Sequence, residues 1–168
     1  MSTTEIYLVQ DGEQPQFIGE TRNAFRGAMY VWKDIARRYF GMDSFPMFCE
    51  EKMKEVWNAD ADNGLSEHEI IVLNSTMDTV TCDQCDAERL CAAFDKYAAE
   101  HPNSSLGEQS EIIKKFLAGN TAASGVIAWV QTSVSDGWFS SYEEDEEGEN
   151  ARICDLSFAY SVFEGLKD

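Results

Sequence analysis

Positive charge is scarce in this chain. It holds 13 Lys and Arg against 31 Asp and Glu, which gives a formal net charge of −18 over 168 residues. A surface this negative repels nucleic acid and anionic membranes, so the composition argues against direct binding to either. The same charge speeds association with a surface of the opposite sign, and it therefore favours a basic protein as the partner.

The sequence also lacks the motifs of the common enzyme classes. It has no Gly-x-Ser-x-Gly, no phosphate-binding Gly-rich loop with Lys and no Gly-x-Gly-x-x-Gly. Its two histidines, His68 and His101, are too few for most general-base schemes. These absences favour a protein without catalytic activity, and we expect no cofactor.

Long apolar runs are missing as well. None approaches the roughly 18 residues that a membrane-spanning helix needs. Residues 1–10 contain no basic stretch followed by a long apolar one, which is the pattern of a secretory signal. Five cysteines, an odd number, favour reduced thiols over a disulfide framework. We therefore expect a cytoplasmic protein that makes no contact with a membrane.

What the chain does have is enough apolar material for one core. Hydrophobic residues make up 43% of it and aromatic residues 12%. No internal repeat and no Pro- or Gly-rich linker divides it. The sequence predicts a single α+β domain over residues 1–168, with three to four helices packed on a mostly antiparallel sheet.

Periodic patterns predict the individual elements. Helical spacing predicts helices over 22–40, with Thr21 as N-cap and Gly41 just past the end, over 47–57 and 86–99, and from the capping box Ser105-x-x-Glu108 to Gly119. Alternation and short apolar runs predict strands over 5–10, 16–19, 69–73, 78–81, 125–131, 138–142 and 153–162, the last with a terminal helix as alternative. Residues expected in the core are Phe25, Trp32, Ile35, Phe94, Phe116 and Trp129.

The densest negative charge lies in a predicted acidic loop over residues 142–150. Its carboxylates are Glu143, Glu144, Asp145, Glu146, Glu147 and Glu149, with Arg152 as the only nearby cation. Trp138 and Tyr142 flank the run, and aromatic anchors beside charged residues are common at protein interfaces. We predict that this segment binds a basic partner surface; a solvated hairpin loop is the alternative interpretation.

Residues 58–69 match part of a calcium-binding loop. Asn58, Asp60, Asp62 and Glu69 stand at offsets one, three, five and twelve of such a loop, but Asn63 occupies the offset that requires Gly. The apolar run after Glu69 indicates a strand rather than the exiting helix. The sequence therefore predicts an acidic turn without a bound metal.

Cys82 and Cys85 form a single CxxC pattern. One such pair is half of a zinc site, and the rest of a ligand set is missing. A redox pair needs a lowered thiol pKa, which the neighbouring Asp83 and Asp86 oppose. We therefore predict no metal at these thiols, and a thiol- or metal-dependent enzyme stays open only as an alternative.

One cluster of positive charge departs from this pattern. Arg22, Arg26, Lys33 and Arg37 are predicted to share about 60° of arc on the polar face of the first long helix. Such a stripe suits a phosphate-bearing ligand or pairs with neighbouring carboxylates such as Asp34. Four cations on so acidic a chain do not make a nucleic-acid-binding surface.

These observations favour a non-enzymatic acidic interaction protein that binds a basic protein surface. In size, charge and composition the chain resembles phage and plasmid proteins that mimic DNA and block restriction or CRISPR complexes. That resemblance implies an anti-restriction or anti-CRISPR inhibitor whose target is a nucleic-acid-binding complex. Two alternatives stay open. One is an accessory binding module without DNA mimicry, which recruits a partner through Trp138, Phe139 and the C-terminal strand. The other is a small thiol- or metal-dependent enzyme that uses Cys82 and Cys85.

Overall fold

The chain begins with a β-hairpin, continues mainly as helices and ends in short strands. The computed structural model describes residues 2–22, 24–119, 125–132, 138–144 and 150–166. In chain order the elements are β1 (Thr3–Val9), β2 (Gln16–Arg22), α1 (Ala28–Phe40), α2 (Glu50–Trp57), α3 (Glu67–Ser75), β3 (Val80–Asp83), α4 (Ala87–Glu100), α5 (Leu106–Gly119), β4 (Val126–Gln131), β5 (Ser140–Glu144), β6 (Asn150–Cys154) and β7 (Tyr160–Ser161). None of the described helices is both long and apolar enough to span a bilayer.

Five strands form the main sheet in the order β2-β1-β4-β3-β7, and β5 and β6 form a separate hairpin. All pairs in the main sheet are antiparallel except β3 with β7. β4 lies between β1 and β3, so it joins distant parts of the chain, for example Thr4 opposite Gln131. The prediction of a single α+β domain with a mostly antiparallel sheet is confirmed.

Both faces of the sheet are covered, and the alternation of β4 shows how. Ile127 and Trp129 face the large core formed with the helices. Ala128 and Val130 face a smaller cluster on the opposite side. A strand buried on both faces has a continuous apolar run instead of an alternating one, which explains the sequence of this segment.

The β5–β6 hairpin covers part of the second face. Phe139, just before β5, and Cys154, at the end of β6, are buried in the smaller cluster. The indole nitrogen of Trp138 donates to the backbone oxygen of Trp129 over 3.0 Å. The hairpin is therefore fastened to the sheet at its base, while its last strand pair, Glu144 with Asn150, lies about 13 Å further along.

The first long helix begins later than predicted. β2 extends to Arg22, so Thr21 is a buried strand residue and not an N-cap. A 3₁₀ turn precedes α1, which starts at Ala28. Gly41 ends the helix with a φ of 63°, the left-handed conformation that favours glycine, as predicted.

Residues 69–73, predicted as a strand, belong to α3. Ser66 caps this helix: its backbone nitrogen donates to Glu69 Oε1 over 3.1 Å. The four residues from Ile70 to Leu73 are all buried. A helix buried on every side loses its periodic pattern, so its apolar run is indistinguishable from that of a buried strand.

The structure also differs from the predictions for the C-terminal segment and for two residues expected in the core. The strand predicted over 153–162 is divided, because β6 ends at Cys154 and β7 spans only two residues. Phe25 is 68% exposed and Phe116 is only partly buried, which contradicts their predicted place in the core. The prediction is confirmed for Trp32, Ile35, Phe94 and Trp129, which are buried.

Candidate interaction surfaces

The described part of the predicted acidic segment, residues 142–144 and 150, belongs to the strands of the β5–β6 hairpin. Glu143 and Glu144 are the last two residues of β5, and Tyr142 stands opposite Arg152 in the register. The other predicted carboxylates, Asp145, Glu146, Glu147 and Glu149, lie outside the described residues. Trp138 is half-buried and its indole N–H is bound to the sheet, so it fastens the hairpin. A partner-binding role for these residues stays a prediction.

A second acidic surface was not visible in the sequence. An open depression of about 620 Å³ lies where α2, α3 and the C-terminal segment meet. Its charged and aromatic lining residues are Lys54, Trp57, Asp60, Asp78, Tyr160 and Glu164. Burial raises the pKa of the Tyr160 hydroxyl, and the nearby carboxylates of Glu164 and Asp78 raise it further. The carboxylates come from segments about a hundred residues apart, so only the fold brings them together.

A network of charged and hydroxyl groups joins α1 to α3 and α4. Arg38 donates two hydrogen bonds to the carboxylate of Asp34, at 2.7 and 2.6 Å, and one to Glu69 at 2.5 Å. The hydroxyl of Tyr97 donates to Asp34 over 2.8 Å, and that of Tyr39 donates to Glu69 over 2.6 Å. Each carboxylate is therefore held by one guanidinium and at least one tyrosine.

The ionisation of this network follows from these contacts. Burial raises the pKa of the Glu69 carboxyl, but hydrogen bonds from Tyr39, Ser66 and Arg38 outweigh burial and lower the pKa to about 2. Burial and the bond to Glu69 raise the pKa of Tyr39 to about 12. At neutral pH the carboxylate is thus charged and the phenol is neutral, which suits a structural role better than a proton-transfer role.

A long groove runs beside this network along the outer face of α1. It has a volume of about 880 Å³, and its lining includes Phe25, Met29, Tyr30, Lys33, Arg37, Phe45, Met47 and His101. The ring of His101 stacks on Tyr97 with 4.3 Å between centroids. Its Nδ1 lies 3.4 Å from the hydroxyl of Tyr30, and its Nε2 lies 3.6 Å from Asp34 Oδ2. The sequence alone indicates no constellation for His101, because Tyr30 and Asp34 lie about seventy residues away in the chain.

The basic stripe predicted on the first helix is only partly present. Arg22 ends β2, and Arg26 lies in the 3₁₀ turn, where it binds Glu108 at 2.6 Å. Lys33 and Arg37 are on α1, are exposed, and form no ion pair within the described parts of the chain. The stripe is thus reduced to two cations one helical turn apart.

Residues 58–66 connect α2 to α3, and residues 67–69 are the first turn of α3, so the strand expected after Glu69 is wrong. Side chains of residues 58–69 nonetheless form hydrogen bonds within the segment and with residues of α1. Asp60 Oδ1 accepts from the backbone of Asp62 over 2.9 Å, and the side chain of Asn63 accepts from the backbone of Asp60 over 3.0 Å. Glu69 is held by Arg38 and Tyr39. Within the described residues these carboxylates do not converge into a group of ligand atoms.

The CxxC pair is split between core and surface. Cys82, in β3, is 1% exposed, and burial raises the pKa of its thiol to about 12. Cys85 is exposed, and its sulfur lies within 4.8 Å of carboxylate oxygens of Asp83 and Asp86. A reactive thiolate at Cys82 is therefore disfavoured, and the two sulfurs do not present themselves together to solvent.

Comparison with known proteins yields no relative for this chain: no family model, no curated protein and no solved structure matches it.

Proposed function

We propose that this chain is a non-enzymatic acidic interaction protein that binds the basic surface of another protein. The proposal is carried by the net charge of −18 and by the way the cations are used. Within the described residues, five of the Lys and Arg are bound to carboxylates, namely Arg26, Arg38, Lys54, Arg89 and Lys114. The remaining surface therefore presents a large excess of carboxylates to solvent.

Two places on the molecule suit a basic partner. The β5–β6 hairpin carries Glu143 and Glu144 at the end remote from its attachment to the sheet. The depression beside α2 combines carboxylates with the rings of Trp57 and Tyr160. Carboxylates pair with Lys and Arg, and aromatic faces attract the same cations, so both features favour a basic protein surface.

The partner class that we propose is a nucleic-acid-binding complex, such as a restriction or CRISPR complex. A groove built to attract phosphates also attracts a polyanion of similar charge density, so the chain would act there as a DNA mimic. A cytoplasmic location is part of the proposal. It is supported by the five cysteines, all of which are free thiols.

The alternatives receive less support from the side chains. An accessory module that recruits its partner through Phe139 and Trp138 would need these rings at the surface. Phe139 is buried, and the indole of Trp138 is bonded to the sheet. An enzyme that uses Cys82 and Cys85 would need an accessible thiolate, whereas Cys82 is buried with a raised pKa.

The test is the rate of association with a partner. Proteins retained from a lysate by the immobilised chain at low salt and released at high salt are identified, and the retained partner is purified. Its association is then measured for the wild type and for a variant in which Glu143, Glu144, Asp145, Glu146, Glu147 and Glu149 are changed to Gln or Asn. We expect association at low salt to slow by roughly tenfold or more, with little change in dissociation.

A matched control variant tests whether the position of the carboxylates matters or only the total charge of the chain. It neutralises six exposed carboxylates elsewhere, namely Glu13, Asp43, Glu51, Glu55, Glu88 and Glu111. The hairpin variant should slow association more than this control, and DNA should compete for the partner. Equal rates for the wild type and the hairpin variant at low salt would show that residues 143–149 form only a solvated loop. Failure of DNA to compete would exclude DNA mimicry.

A further inference from the structure

The groove along α1 borders a second depression, with which it shares two lining residues. Phe45 and Met47 line both the 880 Å³ groove and a smaller depression of about 370 Å³. The smaller depression lies between α1 and α2 and is lined by Trp32, Phe45, Met47, Met53, Trp57, Thr76, Met77 and Asp78. Trp32 lies at the same height on α1 as Lys33, so a ligand that covers both depressions would touch a mixed polar region on one side and an apolar region on the other.

The apolar region is rich in methionine. Four of the six methionines of the chain, Met29, Met47, Met53 and Met77, line the two depressions. Methionine side chains are unbranched and polarisable, and surfaces rich in them repack around large apolar side chains of peptide partners. Phe48, next to Met47, is fully exposed. This region therefore suits insertion of bulky apolar side chains.

The polar region is positively charged, against the charge of the whole molecule. Lys33 and Arg37 lie one turn apart on α1, and both are exposed without an ion pair in the described parts of the chain. The carboxylate between them, Asp34, is already bound by Arg38 and Tyr97 and is only 11% exposed. Lys33 and Arg37 thus line the groove together with the engaged carboxylate of Asp34, and neither has an ion-pair partner among the described residues. They call for an anionic group on the occupant.

We propose that this groove binds an acidic amphipathic helix of a partner protein. Carboxylates of that helix would pair with Lys33 and Arg37, and large apolar side chains on its adjacent face would enter the methionine-rich depression, in the manner of a helix in a groove. Two cations are too few to hold a nucleic acid, whose binding depends on many phosphate contacts. The methionine-rich depression borders the acidic depression, with which it shares Trp57, Met77 and Asp78, whereas the cations lie on α1. Those cations select a partner segment of the opposite charge.

The probe is a random peptide library displayed on phage and selected on the full chain. Its peptides are about 16 residues long, which corresponds to about four helical turns. We expect enriched peptides to contain Asp or Glu together with Leu, Phe or Trp at helical spacing. Synthetic copies are then titrated by fluorescence anisotropy. Reversing both cations, Lys33→Glu with Arg37→Glu, should weaken binding by about tenfold or more.

The matched control makes the same charge change outside the groove. Lys96 on α4 and Lys115 on α5 are exposed, and reversing both to Glu should leave peptide affinity within about twofold of the wild type. A third variant, Met47→Ser, tests the apolar contact at a residue that is 47% exposed, and it should weaken binding without lowering the melting temperature.

Several results would overturn the proposal. They are the absence of enriched acidic amphipathic peptides, enrichment of basic peptides only, and equal loss of affinity in the groove and control variants. Binding of a fluorescent poly-dT oligonucleotide that the groove variant abolishes would reassign the site to nucleic acid. A dimer of the chain that the same variant dissociates, seen by sedimentation, would reassign it to a second copy.

Discussion

The two faces of the central sheet are covered in different ways. On one face the helices bury a large core, and α1, α3 and α4 are joined above it by the network around Arg38. On the other face a single hairpin covers a small cluster centred on Phe139. The groove and its cations belong to the helix side, whereas Glu143 and Glu144 belong to the hairpin.

This difference implies that one side of the sheet determines the stability of the protein and the other is available for recognition of a partner. Most buried apolar residues lie on the helix side, so the free energy of unfolding should depend on that side. The smaller cluster on the hairpin side holds five buried residues in the described parts of the chain, and regions with few buried apolar contacts open at lower free energy than the core does. The hairpin side is therefore the place where an acidic surface can vary without loss of the fold.

The largest expected effect is on the helix side. Trp32 is 5% exposed, contacts Phe45 and Trp57, and donates its indole N–H to Thr76 over 2.8 Å. Changing Trp32 to Ala should lower the free energy of unfolding by about 3–5 kcal/mol. Urea denaturation measures this, with Phe48→Ala at a fully exposed residue as the control. Equal stability of the two variants would contradict the assignment of Trp32 to the core.

The hairpin side should respond less. Phe139→Ala removes the central side chain of the smaller cluster and should cost about 2–3 kcal/mol, because a small cluster relaxes more easily around a cavity. It should also speed alkylation of the Cys154 thiol, which is buried beside it, without speeding that of Cys82 in the helix-side core. Peptide mass spectrometry after timed alkylation measures both rates. Equal acceleration at both thiols would show that the two sides open together.

The network around Arg38 should make stability depend on pH. The unfolded carboxyl of a Glu titrates near about 4.3, and folded Glu69 titrates at about 2. Its contribution is therefore complete above the unfolded value and is lost as the pH falls through the folded value. Glu69→Gln should lower the free energy of unfolding at pH 7 by about 1–2 kcal/mol and flatten its decline at acid pH.

Chemical denaturation at several pH values between 7 and about 2.5 tests this, over the range in which free and shifted carboxyls titrate. The matched control is Glu88→Gln, at an exposed carboxylate of α4. Parallel profiles for the wild type and the Glu69 variant would mean that the network adds nothing that depends on pH.

The smallest effect should come from an exposed ion pair on the same side. Arg89 and Glu67 lie 2.5 Å apart, but their side chains are 52% and 61% exposed. The guanidinium of Arg89 also lies 4.6 Å from the ring centroid of Phe163. Arg89→Ala should cost no more than about 1 kcal/mol. The control is Lys96→Ala in the same helix. If Arg89→Ala lowered the free energy of unfolding as much as Glu69→Gln does, the distinction between buried and exposed ion pairs would be contradicted.

The fold class and most helices could be predicted because local patterns define them. The periodic apolar face of α4 and the apolar run of β4 are examples of such patterns. The sequence missed α3 because complete burial removes the helical period from Ile70 to Leu73. It also extended the first helix backwards over Arg22, which the pairing with Thr3 places in β2 instead.

The surfaces were predictable only where their residues are adjacent in the chain. The acidic run over 143–149 is local, and it was found. The groove forms because Met47 and His101 line it together with residues of α1, and the acidic depression forms because Asp60 and Glu164 line the same surface. A single sequence does not reveal such contacts, since they follow from how distant segments pack. For the same reason the sequence alone indicates no role for His101, although the fold places it between Tyr30 and Asp34.

The position of β4 has a consequence for how the protein is made. This strand is needed to join β1 to β3, yet a ribosome reaches it only after roughly three quarters of the chain has emerged. Until then the hairpin of β1 with β2 and the five helices have no completed sheet to pack against, and such long-range pairing is slow to form. Nascent chains with exposed apolar faces tend to aggregate, and like charges on neighbouring chains oppose this. The abundance of carboxylates would thus protect the chain during synthesis, before any partner is met.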